Sequence, residues 1–149
     1  MLKRLLPLLL IPIAFSAHAE TPEQQGLATA IESDRRDQGY GDFSVDLEMV
    51  LKNRHGEESR RKIQVATLEG KSDGDKSHTL FNEPADVKGT ALLTFSHKID
   101  DDDQWLYLPA LKRVKRITSS NKSGSFMGSE FAFEDIGSQE VEKYTYKFV

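Results

Sequence analysis

Three histidines, His55, His78 and His97, and a run of four aspartates, Asp100–Asp103, are the residues of this chain best suited by type to chemistry. Zinc binding shows in sequence as histidines spaced to meet on one face, such as HExxH or His-x-His. The three histidines sit on three separate predicted elements, so no such site is expected. A calcium loop needs alternating oxygen ligands, a central glycine and a glutamate at the twelfth position. Neither Asp100–Asp103 nor "SDGD" at 72–75 follows that pattern, and both are read as solvated turns. The serine-rich "SSNKSGS" at 119–125 lacks the G-x-S-x-G of a nucleophile elbow. Glu130, Glu134 and Asp135 could work as paired acids, but nothing in the pattern marks a substrate pocket beside them. There is no cysteine, so thiolate metal sites, a CxxC redox pair and disulfides are excluded. The residues predict neither an enzyme nor a cofactor.

A basic run follows the aspartates, "LKRVKRIT" at 111–118. On a strand, Lys112, Val114, Arg116 and Thr118 share one face, and Leu111, Arg113, Lys115 and Ile117 share the other. The cations therefore split between two faces. The first reading is the solvated rim of an edge strand, where lysine and arginine also discourage edge-to-edge pairing. Anionic lipid headgroups are a second reading, and nucleic acid a distant third. "QWLYLP", just before, puts Trp105 and Tyr107 on one face and Leu106 and Leu108 on the other. Both faces need a cover, which the N-terminal helix, a second wall of the sheet or a ligand could supply.

The ends of the chain bear on location. "MLKRLLPLLLIPIAFSAHA" has Lys3 and Arg4 first, an apolar run of 11 residues from Leu5 to Phe15, and a small-x-small site ending at Ala19. That is the pattern of a cleaved secretory signal peptide over residues 1–19. It is too short, and too interrupted by Pro7 and Pro12, to span a bilayer. The predicted location is the periplasm of a bacterial envelope, with no membrane span after cleavage. Without cysteine the chain cannot itself be acylated as a lipoprotein. Loss of Lys3 and Arg4 leaves 18 basic against 24 acidic residues over positions 20–149, a formal charge of −6. Such a balance argues against nucleic acid, whose binding rests on cations. At the other end "KYTYKFV" runs to Val149 in strand pattern, which suggests the front part of a longer protein.

The elements that must position these residues are one helix and a series of strands. Thr21, Pro22 and Gln24 spell a capping box with proline in the first turn, and Leu27, Ala28, Ala30 and Ile31 form a narrow apolar stripe. Gly39 and Gly41 follow as stop signals. Phe43, Val45, Leu47, Met49 and Leu51 then alternate with Ser44, Asp46 and Glu48, a strand with one apolar face. Ile63, Val65 and Thr67 lie on the return strand. Roughly seven strands joined by short turns are expected, the last over 139–149, with a loop at 119–130 and a helical turn in "FAFEDIG". No βαβ crossover appears, so the class is mainly β within α+β: a curved antiparallel sheet with the helix packed on it.

The stretches "KGTALLTF", "DDQWLYLPALKRVKRI" and "SGSFMGSEFAFEDI" resemble the outer-membrane lipoprotein-sorting-protein-like domains, LolA-like relatives of the periplasmic lipoprotein carrier. The resemblance covers roughly residues 24–149. It implies an unclosed β-barrel, incomplete here at its C-terminal side, and a single domain over 20–149. It also implies a non-enzymatic carrier for lipoprotein acyl chains or another lipid. A rival is an accessory module of an RND-type membrane exporter, with its interior filled by side chains. For the carrier, an apolar hollow is expected from Phe43, Val45, Leu47 and Met49, with Ile63, Val65, Trp105 and Tyr107 if their phases agree. Phe126 and Met127, in a glycine-flanked loop, would form its lid or else pin that loop to the core.

Overall fold

The computed structural model describes residues 19–149. The signal peptide expected over residues 1–19 therefore lies, but for Ala19, outside the described residues. Helix α1, Pro22–Asp37, begins as its sequence dictates. The Thr21 hydroxyl accepts from the Gln24 amide, and the Gln24 side chain accepts in return from the Thr21 N–H. Two donors left over by the first turn are thereby satisfied.

Six strands follow: β1 (Asp42–Lys52), β2 (Glu58–Leu68), β3 (Lys76–Glu83), β4 (Ala91–Phe95), β5 (Asp103–Leu108) and β6 (Arg113–Ile117). They form one antiparallel sheet in the order of the sequence, and β1 and β6 are its two edges. The sheet is unclosed, as the family resemblance implied. The β1–β2 turn is held by Asn53, whose side-chain oxygen accepts from the amides of His55 and Glu57.

Cross-strand register sorts the side chains into two faces. Leu47 pairs with Ile63 and Ile63 with Phe81; Val65 pairs with Thr79, Thr79 with Leu92, and Leu92 with Leu106. This inner face carries most of the core: Ile63, Phe81, Leu92, Leu106 and Ile117 are all buried. What covers it is not the helix but the segment after β6. That loop folds back through a bridge between Ser125 and Ala132 and ends in a short 3-10 turn, Phe133–Ile136. Phe126 is fully buried, with its ring 5.8 Å from Phe81 and 5.5 Å from Phe133. Arg61 donates from its guanidinium to the Met127 carbonyl, fixing the tip of the same loop to β2.

Two expectations change. Residues 139–149 form no seventh strand: a 3-10 turn at Val141–Lys143 leads into extended chain that joins no sheet. It lies instead against α1, where the Phe148 amide donates to the Pro22 carbonyl and the Lys147 backbone sits against Gly26. Alternating residues make a chain extended, but a strand also needs a free sheet edge beside it. The helix is covered mainly by this segment. Leu27 and Ile31 of its stripe stay 43% and 52% exposed. Among the described residues no helix is long and apolar enough to cross a membrane.

Because Phe126 is fully buried and packs its ring against both Phe81 of the sheet and Phe133 of the covering segment, its truncation should be costly. Phe126→Ala is expected to lower unfolding stability by about 3–5 kcal/mol, read from urea denaturation. A loss below about 1 kcal/mol, ordinary for a surface site, would show that the loop does not plug the sheet.

Candidate lipid cleft

The loop covers only part of the inner face. Over β3–β6 it makes a buried core. Over β1 the apolar side chains from Phe43 to Leu47 are largely uncovered: Phe43 is 47% exposed, Val45 38% and Leu47 49%. Met49, further along the row, is partly buried against the core. From Phe43 to Met49 the stripe runs about 20 Å at the usual strand rise.

At its Phe43 end the stripe opens into a cleft of about 750 Å³, within the range of small-molecule sites. Its floor is Phe43, Val65, Thr67, Ser77 and Thr79; the end of α1 and Tyr40 form one wall, and Ile136 and Gly137 the other. The hydroxyl residues come from the sheet itself, since Phe43, Thr67, Ser77, Thr94 and Gln104 form one cross-strand row. The cleft is thus polar at one end and leads into an apolar stripe at the other. Within that row Gln104 is almost wholly buried and donates to the Phe133 carbonyl and the Thr94 hydroxyl, while its own carbonyl oxygen has no partner.

The wall formed by Tyr40 is held in place by charge. Gly39 and Gly41 both adopt positive φ, where a side chain would be strained, and their amides converge on the Glu69 carboxylate at 2.6 and 2.8 Å. Those two backbone donors, Gly39 first, hold the Glu69 carboxyl below its usual range. The Tyr40 hydroxyl donates to Asp75 at 2.6 Å, and its ring meets Phe43 edge-on at 5.3 Å. Burial, then Asp75, pushes the Tyr40 phenol up, so it stays a donor at neutral pH. A second cleft of about 720 Å³ lies beyond Tyr40, but it is lined by Asp34, Asp37, Glu69, Asp73 and Asp75, a poor setting for an apolar chain.

The acidic run is not simply solvated. Asp101 accepts from Ser119 and faces Lys122; Asp102 accepts from the His97 amide and pairs with Lys143; Asp103 pairs with Arg116. These aspartates thus tie the β4–β5 turn to the covering loop and to the C-terminal segment. His97 sits between Asp73, 2.6 Å from Nδ1, and Asp103, 3.4 Å from Nε2. Among the described residues no cluster of histidine and carboxylate groups is placed to hold a metal ion.

Of the residues expected in the hollow, Phe43 and Val65 line the cleft and Val45, Leu47 and Met49 extend it. Ile63 shares the face but is buried in the core. Trp105 and Tyr107 do not join them. Trp105 pairs with Leu93, and Leu93 with His78, which puts both aromatics on the outer face; Leu106 takes the inner position. The phase of β5 relative to β1 depends on every turn between them, including a register shift at Lys62/Ile63. Phe126 and Met127 are no lid: Phe126 is the core plug, and Met127 packs on the same cluster. Tyr40, Ser77, Thr79 and Ile136 were missed, because only the folded sheet brings these distant segments together.

A family model described only as "-like: Uncharacterized protein" matches residues 73–149. The chain is 57% identical to a crystal structure from Vibrio parahaemolyticus, provisionally designated an outer membrane lipoprotein-sorting protein domain, with a TM-score of 0.80 over 83% of this chain and 52% of that one. The chain belongs to the outer-membrane lipoprotein-sorting-protein-like domain family. A DUF1329 family protein from Desulfovibrio piger is 35% identical, with a TM-score of 0.79 over 86% of this chain and 55% of that one. The chain of this family member thus spans about half the length of the solved structures it matches. No curated protein matches it.

The His97 cluster sets a pH dependence. Asp73, chiefly, raises the His97 pKa above its ordinary 6.5, and His97 in turn holds the Asp73 carboxyl down to about 2, from 3.8. The raised histidine stabilises fully below pH 6.5 and loses its effect as pH climbs through its folded value. The depressed aspartate stabilises above pH 3.8 and loses its effect as pH falls towards 2. The melting-temperature gap between wild type and His97→Gln should therefore be widest between those limits and shrink above them. A gap that stays constant up to about pH 9, past histidine titration, contradicts the assignment.

Proposed function

We propose that this protein is a periplasmic, non-enzymatic carrier that shelters the acyl chain of a lipoprotein or another lipid, for transfer towards the outer membrane. The reading rests on the uncovered stripe Phe43–Val45–Leu47 opening into a cleft whose far end carries hydroxyls. An acyl chain exposed to water costs about 0.8 kcal/mol per CH₂. Laid along β1 it would leave water together with the stripe beneath it. The hydroxyls of Thr67, Ser77 and Thr79 would meet the ester or carboxyl end. An amphiphile fits such a graded site better than a plain hydrocarbon. Export by a cleaved signal peptide ending at Ala19, as its sequence pattern suggests, would bring this carrier to the envelope, and kinship with a lipoprotein-sorting domain supports the same direction.

A rival reading is an accessory module docked on an RND-type exporter of the inner membrane, with its sheet interior filled. The plug made by Phe126 favours it over β3–β6. Titration of delipidated protein with a fluorescent fatty-acyl probe separates the two. The carrier predicts saturable binding, weakened by at least about tenfold, or 1.4 kcal/mol, in Leu47→Arg. Leu47 is half exposed on an edge strand, so that variant should fold. Trp105→Phe, on the opposite face, should bind as wild type does. Folded wild-type protein with no saturable binding sinks the carrier, and co-purification with a membrane transporter would then favour the module.

A further inference from the structure

The cations of the basic run are not used by the fold in equal measure. Arg116 is paired with Asp103. Lys112, Arg113 and Lys115 are exposed, and among the described residues none of them meets a carboxylate within ion-pair distance. A fourth unpaired and exposed cation, Lys88, lies in the β3–β4 loop, whose Gly89 sits against Pro109 at the start of the β5–β6 turn. Asp86 is the acid nearest to it in that loop; Glu83, at the end of β3, is engaged by Lys62.

Apolar groups stand among these cations. The β5–β6 turn is a 3-10 helix, Pro109–Leu111, closed by Lys112 in the left-handed region at φ 48, with its amide donating to the Pro109 carbonyl. That turn leaves Leu111 63% exposed, and Val114 two residues beyond Lys112 is 64% exposed. Val114 is paired with Tyr107, which is itself part exposed, so the apolar patch continues onto the outer face. The whole chain carries a net charge of −4, so this local excess of cations around exposed leucine and valine runs against its general character.

The geometry points to the β5–β6 turn as a docking point for an anionic phospholipid bilayer. Leu111 and Val114 enter the boundary between headgroups and acyl chains, while Lys88, Lys112, Arg113 and Lys115 meet lipid phosphates. Cations beside short apolar side chains are the combination that holds peripheral proteins at anionic surfaces. The acidic remainder of the molecule keeps the rest of its surface away from that bilayer. This contact is separate from the cleft on β1 and stands whether or not the cleft takes an acyl chain.

Co-sedimentation with vesicles tests it. Protein should pellet with phosphatidylglycerol–phosphatidylethanolamine vesicles, stay in solution with phosphatidylcholine vesicles, and be released by about 0.5 M salt, which screens such contacts. Lys112→Glu combined with Arg113→Glu should lower partitioning by more than about tenfold, and Leu111→Ser should lower it without changing the lipid preference. Leu47→Arg should pellet as wild type does, even where it has lost the acyl probe. Equal binding to both vesicle types, no binding to either, or wild-type binding by the charge-reversed variant overturns the proposal.

Discussion

Phe126 fills the space between Phe81 and Phe133, and the inner face of the sheet is organised by how far that filling reaches. A six-stranded antiparallel sheet with an apolar face must have it covered, and here one irregular segment does so. Its reach ends over β2. The covered part is a dense core of Ile63, Leu92, Leu106 and Ile117 around the phenylalanine; the uncovered part is a ledge of Phe43, Val45 and Leu47 on the edge strand. The helix does not complete the cover, because the C-terminal segment lies against it at Gly26 and Pro22. Core and ledge thus share one sheet face and differ only in what lies above them.

Charge does the work of holding this arrangement together at the rim. The loop and the C-terminal segment have little regular structure, so their placement depends on side-chain contacts. Asp101, Asp102 and Asp103 each take a cation or hydroxyl from a different segment, and Asp73 ties the neighbouring turn to His97. Exposed pairs of this kind contribute little singly. Their value lies in number and in direction, since those of Asp73, Asp101 and Asp102 hold loops and the C-terminal segment at the same end of the sheet. Glu69 does the equivalent for the link between α1 and β1.

These constraints give the two faces of the molecule different characters. The inner face grades from a buried core through a row of hydroxyls to an open apolar ledge. The outer face carries Leu93, Trp105 and Tyr107, with Phe95 lying under Lys76, and ends at the cationic β5–β6 turn. The two proposed roles, holding an amphiphile and meeting a membrane, would need both surfaces, and would need them apart. The register of β5 keeps them so.

Period-two alternation and turn residues determined by themselves the strands of the meander, the capped helix, the loop at 119–130 and the apolar row on β1, because each depends on neighbours in sequence. The resemblance carried by "WLYLPALKRVKRI" and "SGSFMGSEF" pointed to the family. Tertiary structure alone decided which face Trp105 presents, since a strand's phase against a distant strand is summed over all the turns between them. It also decided that Phe126 is a plug, that residues 144–149 dock on the helix, and that the aspartate run is a set of ties. Whether an exposed-looking side chain is covered depends on segments that meet only after the chain has folded, and no local pattern encodes that meeting.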